Sequence, residues 1–138
     1  MTVIVTDQGF APDDWQGSLT PLSDLAANAP APVAISLAPA DDPEALFTQL
    51  GRIEMIVVEF PAFTDGRGFT IARRLRAHGY DGRLRARGHV LADQYSMARR
   101  VGFDEVEIGD DLAARQPADQ WQFRANWTEL DHRSRLRA

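Results

Sequence analysis

The run Ile53-Glu54-Met55-Ile56-Val57-Val58-Glu59-Phe60 is almost unbroken in its apolar character. A strand of that kind is covered on both faces, as in the middle of a parallel sheet. Pro61 closes the run, and a helical pattern follows from Gly68 to Ala77. That pattern turns Phe69, Ile71, Ala72 and Leu75 to one side and Arg73, Arg74 and Arg76 to the other, and Gly79 stops it. The same alternation recurs along the chain. Val33–Leu37 reads as a buried strand. Asp41 or Asp42 then suits an N-cap, Pro43 the first helical position, and Leu46, Phe47 and Leu50 the apolar stripe, with Gly51 as terminator. Arg83–Arg87 reads as a strand, Val90–Arg100 as a helix closed by Gly102, and Glu105–Ile108 as a short strand. Residues 118–130 read as a last amphipathic helix carrying Trp121, Phe123, Trp127 and Leu130.

Alternating strands and helices specify crossover units on a parallel sheet. The expected fold is α/β: a mainly parallel sheet of four to five strands with flanking helices, either an open sandwich or a partial barrel. Met1–Thr6 is expected at an edge. Residues 1–30, broken by Gly9, Pro12, Gly17, Pro21 and Pro30, form an irregular N-terminal segment, with room for a helical turn or two through Leu19, Leu22, Leu25 and Ala26. Residues 131–138 form a loose tail, and 1–138 makes one domain.

Composition removes several chemistries. The chain has 138 residues and no cysteine, which excludes disulfides, thiolate catalysis and cysteine-held zinc or iron–sulfur centres. It has no lysine, so a Schiff base or a lysine-dependent phosphate loop is excluded too. No signal peptide or membrane span is expected, which makes the cytoplasm the expected location. Three scattered histidines give no metal-ligand spacing, and no cofactor is expected. The acidic balance, formally −5, argues against nucleic acid as a partner.

That net charge hides a segregation. Residues 1–51 hold seven acids and no base, residues 52–100 hold ten arginines and five acids, and residues 101–138 hold eight acids and five arginines. Two readings stand for the central excess: a bias toward arginine codons, or an anion-attracting face built from guanidinium forks.

Open parallel sheets place ligands beyond the carboxyl ends of their strands, so the loops after Phe60, Arg87 and Ile108 should share a rim. The first holds Thr64-Asp65-Gly66-Arg67-Gly68, where backbone N–H groups, the helix dipole and Arg67 can meet an anion, or where the glycines simply make a capped turn. The second holds Gly88, His89, Asp93 and Gln94. Asp93 either favours the helix dipole or faces Arg67 across the rim. His89 has the ordinary pKa for acid–base work, or is an inert loop residue. Arg83, Arg85 and Arg87 alternate on one strand face, as an edge defence or as ligands.

The run FPAFTDGRGFTIARRLR, then GYDGRLRARGHVLADQ, then RRVGFDEVEI, resembles an uncharacterised bacterial family labelled as oxidoreductases of sulfite reduction. The resemblance rests on Phe63, Asp65, Gly66, Arg67, Phe69, Arg73, Leu75, Arg85, Gly88, Asp93, Gln94, Gly102, Phe103 and Asp104. Thr70, Arg83 and His89 depart from it, the last two standing where acids are common. It implies a place in sulfate and sulfite assimilation. Accordingly, one expectation is an accessory protein that binds sulfite reductase, another sulfur-assimilation enzyme or a small oxyanion through the rim. A second is a small enzyme acting on a sulfur-containing or phosphorylated metabolite, with Arg67 as clamp and Asp65 or Asp93 moving a proton. A third is a structural α/β domain without a ligand. A homodimer is compatible with each.

Overall fold

The alternation within the central run decides the architecture. In the computed structural model, which describes residues 2–25 and 33–125, Met55–Phe60 forms strand β5. Ile56, Val58 and Phe60 point to one face of the sheet, and Met55, Val57 and Glu59 to the other. Around it lie β1 (Thr2–Thr6), β2 (Gly9–Ala11), β3 (Thr20–Pro21), β4 (Ala34–Leu37), β6 (Arg83–Gly88) and β7 (Glu105–Gly109). Their spatial order is β2-β1-β7-β6-β5-β4-β3. Strands β3 to β7 run parallel in chain order, while β1 joins β7, and β2 joins β1, antiparallel.

The sheet is therefore mixed α/β and mostly parallel, with seven strands rather than four to five. The two additional strands are three and two residues long and lie in the stretch read as irregular. Strands so short carry no periodicity of their own; partners across the ladder define them. For the same reason β1 is not an edge: the hairpin partner β2 covers it on one side and β7 on the other.

Consecutive parallel strands in chain order, joined by crossovers of one hand, send every helix to the same face. The helices are α1 (Arg67–Ala77), α2 (Tyr95–Val101), α3 (Asp110–Arg115) and α4 (Ala118–Phe123). Phe69, Ile71 and Leu75 of α1, Ala98 and Val101 of α2, Leu112 of α3 and Trp121 of α4 join Ile56, Val58, Leu84, Ala86, Val106 and Ile108 in one core. The arrangement is a two-layer open sheet. Pro43–Leu46 and Leu50–Arg52, expected as one helix, are two 3-10 turns, the first capped by Asp42 through Glu44 N–H at 3.0 Å. Leu22–Asp24 is also a 3-10 turn. Ala26, Trp127, Leu130 and the tail lie outside the described residues.

Among the described residues, no helix covers the other face. Across it run three rows of neighbours: Ala34–Met55–Arg83, Ser36–Val57–Arg85–Glu105, and Glu59–Arg87–Glu107–Ile4. Trp15 and Leu19, from the irregular segment between β2 and β3, pack on Ala34, Met55 and Val57.

Candidate functional site

Gly88 ends β6 at φ +118°, and a Cβ there would stand 2.5 Å from the carbonyl oxygen of Phe60, so only glycine lets the two strands close at this point. The tight exit directs His89 back over the end of β5. Its backbone N–H donates to Phe60 O at 2.8 Å, and its Nδ1 lies 3.3 Å from the same oxygen. The imidazole meets the Phe63 ring edge-on, with centroids 4.9 Å apart.

Two glutamines brace these loops. Gln94 donates from Nε2 to Phe63 O at 3.2 Å and accepts from Leu91 N–H at 2.9 Å. Gln116, after α3, accepts from Ala92 N–H at 2.7 Å. The loops after β5 and β6 and the end of α3, which follows β7, thus form one lip. A cleft of about 290 Å³ opens there, lined by Phe63, Gly88, His89, Asp111, Leu112 and Arg115 among others. A smaller recess of about 170 Å³ adjoins it and shares Phe63, Leu112 and Arg115. Arg115 is exposed and has no ion-pair partner among the described residues.

The residues named from sequence fall into three groups. Gly88, His89 and Gln94 are at the lip, the last as a brace. Asp65, Gly66 and Arg67 make a closed local unit. Asp65 Oδ1 accepts from the Arg67 N–H at 3.1 Å and from its Nε at 3.0 Å, and Oδ2 takes Nη2 at 2.8 Å. That side-chain pairing, helped by the backbone bond, holds the Asp65 carboxyl below its ordinary value, and the same pairing raises Arg67. The start of α1 is supplied with its own carboxylate. Thr64 is exposed beside it. Neither Gly66, at φ −88°, nor Gly68, inside α1, uses positive φ; a Cβ on Gly68 would lie 2.5 Å from the Phe60 ring, so this glycine serves close packing. Asp93 bonds Arg124 at 2.7 Å and not Arg67, which pairs with Asp65.

Arg85 is away from the lip altogether. It is 2% exposed, in the middle of the helix-free face, surrounded by three carboxylates. Nε donates to Glu105 at 2.5 Å, Nη1 to Glu107 at 2.9 Å and Nη2 to Asp13 at 3.0 Å. Burial by itself pulls its pKa down, and the carboxylates more than reverse that, keeping it above its ordinary value. Arg83 pairs with Glu105 at 2.8 Å and with Asp14, and Arg87 pairs with Glu59. An edge defence is ruled out, because β6 lies between β5 and β7. Part of the segregated charge is internal pairing: Asp7, Asp13, Asp14 and Asp42 of the acidic third meet Arg99, Arg85, Arg83 and Arg74 of the basic third.

Sequence reasoning missed Arg115 and Gln116. The rim rule pointed to the loop after Ile108, and Arg115 is the first basic residue beyond it. Among the described residues no group of three His, Asp or Glu side chains is placed to hold a metal ion, and no helix is long and apolar enough to cross a membrane.

An open α/β sheet with a ligand-sized lip at the carboxyl ends of its central strands is the class that fold and site define. The chain belongs to the family described as bacterial protein of unknown function DUF934, which matches residues 34–130, from β4 through α4. No curated protein and no solved structure matches the chain.

Proposed function

We propose that the protein is an accessory component of assimilatory sulfite reduction that holds a small oxyanion at the lip formed by Phe63, His89 and Arg115. The observation that carries this reading is the convergence of those three side chains from the loops after β5 and β6 and from the end of α3. A guanidinium without a carboxylate partner offers a fork of donors to a planar or pyramidal oxyanion. His89 lines the cleft with Nδ1 3.3 Å from the Phe60 carbonyl, and Phe63 supplies an apolar wall. A cleft near 290 Å³ suits a small ion better than a nucleotide. The link to sulfite rests on the motif resemblance, and sulfite reductase is the partner it implies.

Titration calorimetry with sulfite and with sulfate, on the native chain and on Arg115→Ala, is the test. Binding to the native chain should be lost in Arg115→Ala, while thermal stability without ligand stays within about 0.5 kcal/mol, since the side chain is exposed. Bound ligand at a hundredfold over Kd should add about 2.7 kcal/mol to the native chain. Absence of heat with both anions, or equal binding by Arg115→Ala, refutes the reading.

A further inference from the structure

We propose that Arg83 and Arg85 form a binding site for an acidic peptide segment of a partner protein, and that the chain's own Asp13-Asp14 occupies it in this structure. The proposal is independent of the lip, which lies at the strand ends, whereas these arginines lie within β6 on the helix-free face.

The argument begins with charge on the sheet itself. Arg83, Arg85 and Arg87 stand against Glu59, Glu105 and Glu107, three cations and three anions from β5, β6 and β7. Glu105 engages both Arg83 and Arg85, Glu107 engages Arg85, and Glu59 engages Arg87. The strip is therefore neutral and fully paired before any other segment arrives. Asp13 and Asp14 are surplus to it. They take the Nη2 groups of Arg85 and Arg83, the former at 3.0 Å. Two residues apart on one strand, these arginines have Cα atoms about 7 Å from each other on the same face, a spacing that neighbouring carboxylates of one peptide can span.

The occupying segment is attached in the manner of a ligand. No backbone hydrogen bond joins residues 12–19 to the rest of the described chain. Its anchors are the two carboxylates and the packing of Trp15 and Leu19 on Ala34, Met55 and Val57. The Trp15 indole N–H is buried without a partner, so the fit of the aromatic anchor is incomplete. Asp14 remains largely exposed, at 71% of its side chain. The family match begins at residue 34, so it contains the arginines and glutamates of the strip but not this strap. An acidic, aromatic-containing segment from another protein meets the same donors and the same apolar patch once the strap leaves.

A labelled peptide of residues 11–19, Ala-Pro-Asp-Asp-Trp-Gln-Gly-Ser-Leu, is the probe, titrated into the native chain and into the Asp13→Asn/Asp14→Asn double variant. The variant should keep its native circular dichroism and show the NMR signal of the Trp15 indole N–H moved toward its position in the free peptide of residues 11–19. It should bind the peptide about tenfold more tightly than the native chain, whose closed strap lowers the competent fraction. Binding should weaken as salt is raised, and an Asn-Asn version of the peptide should not bind. Loss of fold in the variant, an unmoved Trp15 indole signal, equal peptide binding by both proteins, or equal binding of the Asn-Asn peptide overturns the proposal.

Discussion

On the helix face of the sheet, Ile56, Val58, Leu84 and Val106 lie against side chains from four helices, without a charged group among them. On the opposite face, their immediate chain neighbours Val57, Arg85 and Glu105 lie under a strap with no regular structure, and two of those three are ionised and nearly buried. Both faces exclude water, but by different physics. The first gains from apolar area removed from water and tolerates small errors of geometry. The second recovers a large desolvation penalty only while every carboxylate keeps its guanidinium. A buried ionic strip of this kind contributes little net stability and much sensitivity to the loss of one member.

The largest expected effect breaks that strip. Arg85→Ala leaves Glu105 and Glu107 buried, Glu107 without its only hydrogen-bond partner on the strip and Glu105 with Arg83 alone. Unfolding in urea should show a loss of about 3–5 kcal/mol. Replacing Arg85, Glu105 and Glu107 together by Met, Leu and Leu removes the charges as a set and should be close to neutral or stabilising. If the single and triple variants lose the same stability, the strip acts as packing volume rather than as paired charge.

On the helix face the corresponding weakness is space. Gly68→Ala adds a methyl group against the Phe60 ring, which also contacts Phe69 and Phe103 at centroid distances of 5.0 and 5.8 Å. Overpacking there should cost about 1–3 kcal/mol. Phe60→Leu in the same chain should restore part of the loss. A fully stable Gly68→Ala protein would mean that α1 can move off the sheet freely.

The same contrast explains what could be read from the chain alone. The apolar run of β5, the stripe of α1 and the stops at Gly79 and Gly102 are local patterns, and the structure keeps them, whereas Gly51, read as a stop, lies inside a 3-10 turn. Asp65 and Arg67 are two residues apart, so their closed pair was also within reach of local reading. The role of Arg83, Arg85 and Arg87 was not. Alternation places them on one face, but whether that face meets water or carboxylates depends on the register of β7 and on a segment about seventy residues away. β2 and β3 were missed for a related reason, because strands of three and two residues exist only through their partners. Arg115 ends a six-residue helix with one buried residue, Leu112, too short for a stripe.

The smallest expected effect separates the faces by pH. Burial raises the Asp13 carboxyl, and the hydrogen bonds from Arg85 and Trp15 N–H with the nearby guanidinium charge outweigh it, leaving it below its ordinary value of 3.8. Asp14 is lowered chiefly by its bond to Arg83. A carboxyl lowered in the folded state binds its proton more readily when unfolded. The stability it contributes is therefore complete above about pH 4 and fades as pH falls through the folded values beneath that. Both groups are too exposed for the contribution to be large. Between pH 5 and pH 3, the NMR signal of the Trp15 indole N–H should move toward its free-peptide position before hydrogen exchange of the Ile56 and Val58 amides, corrected for intrinsic rates, accelerates. Those core amides report the helix face, whose buried lining is apolar. A Trp15 signal that moves away from its free-peptide position on acidification would show that the strap's carboxylates repel the surplus negative charge around them more than the arginines attract them.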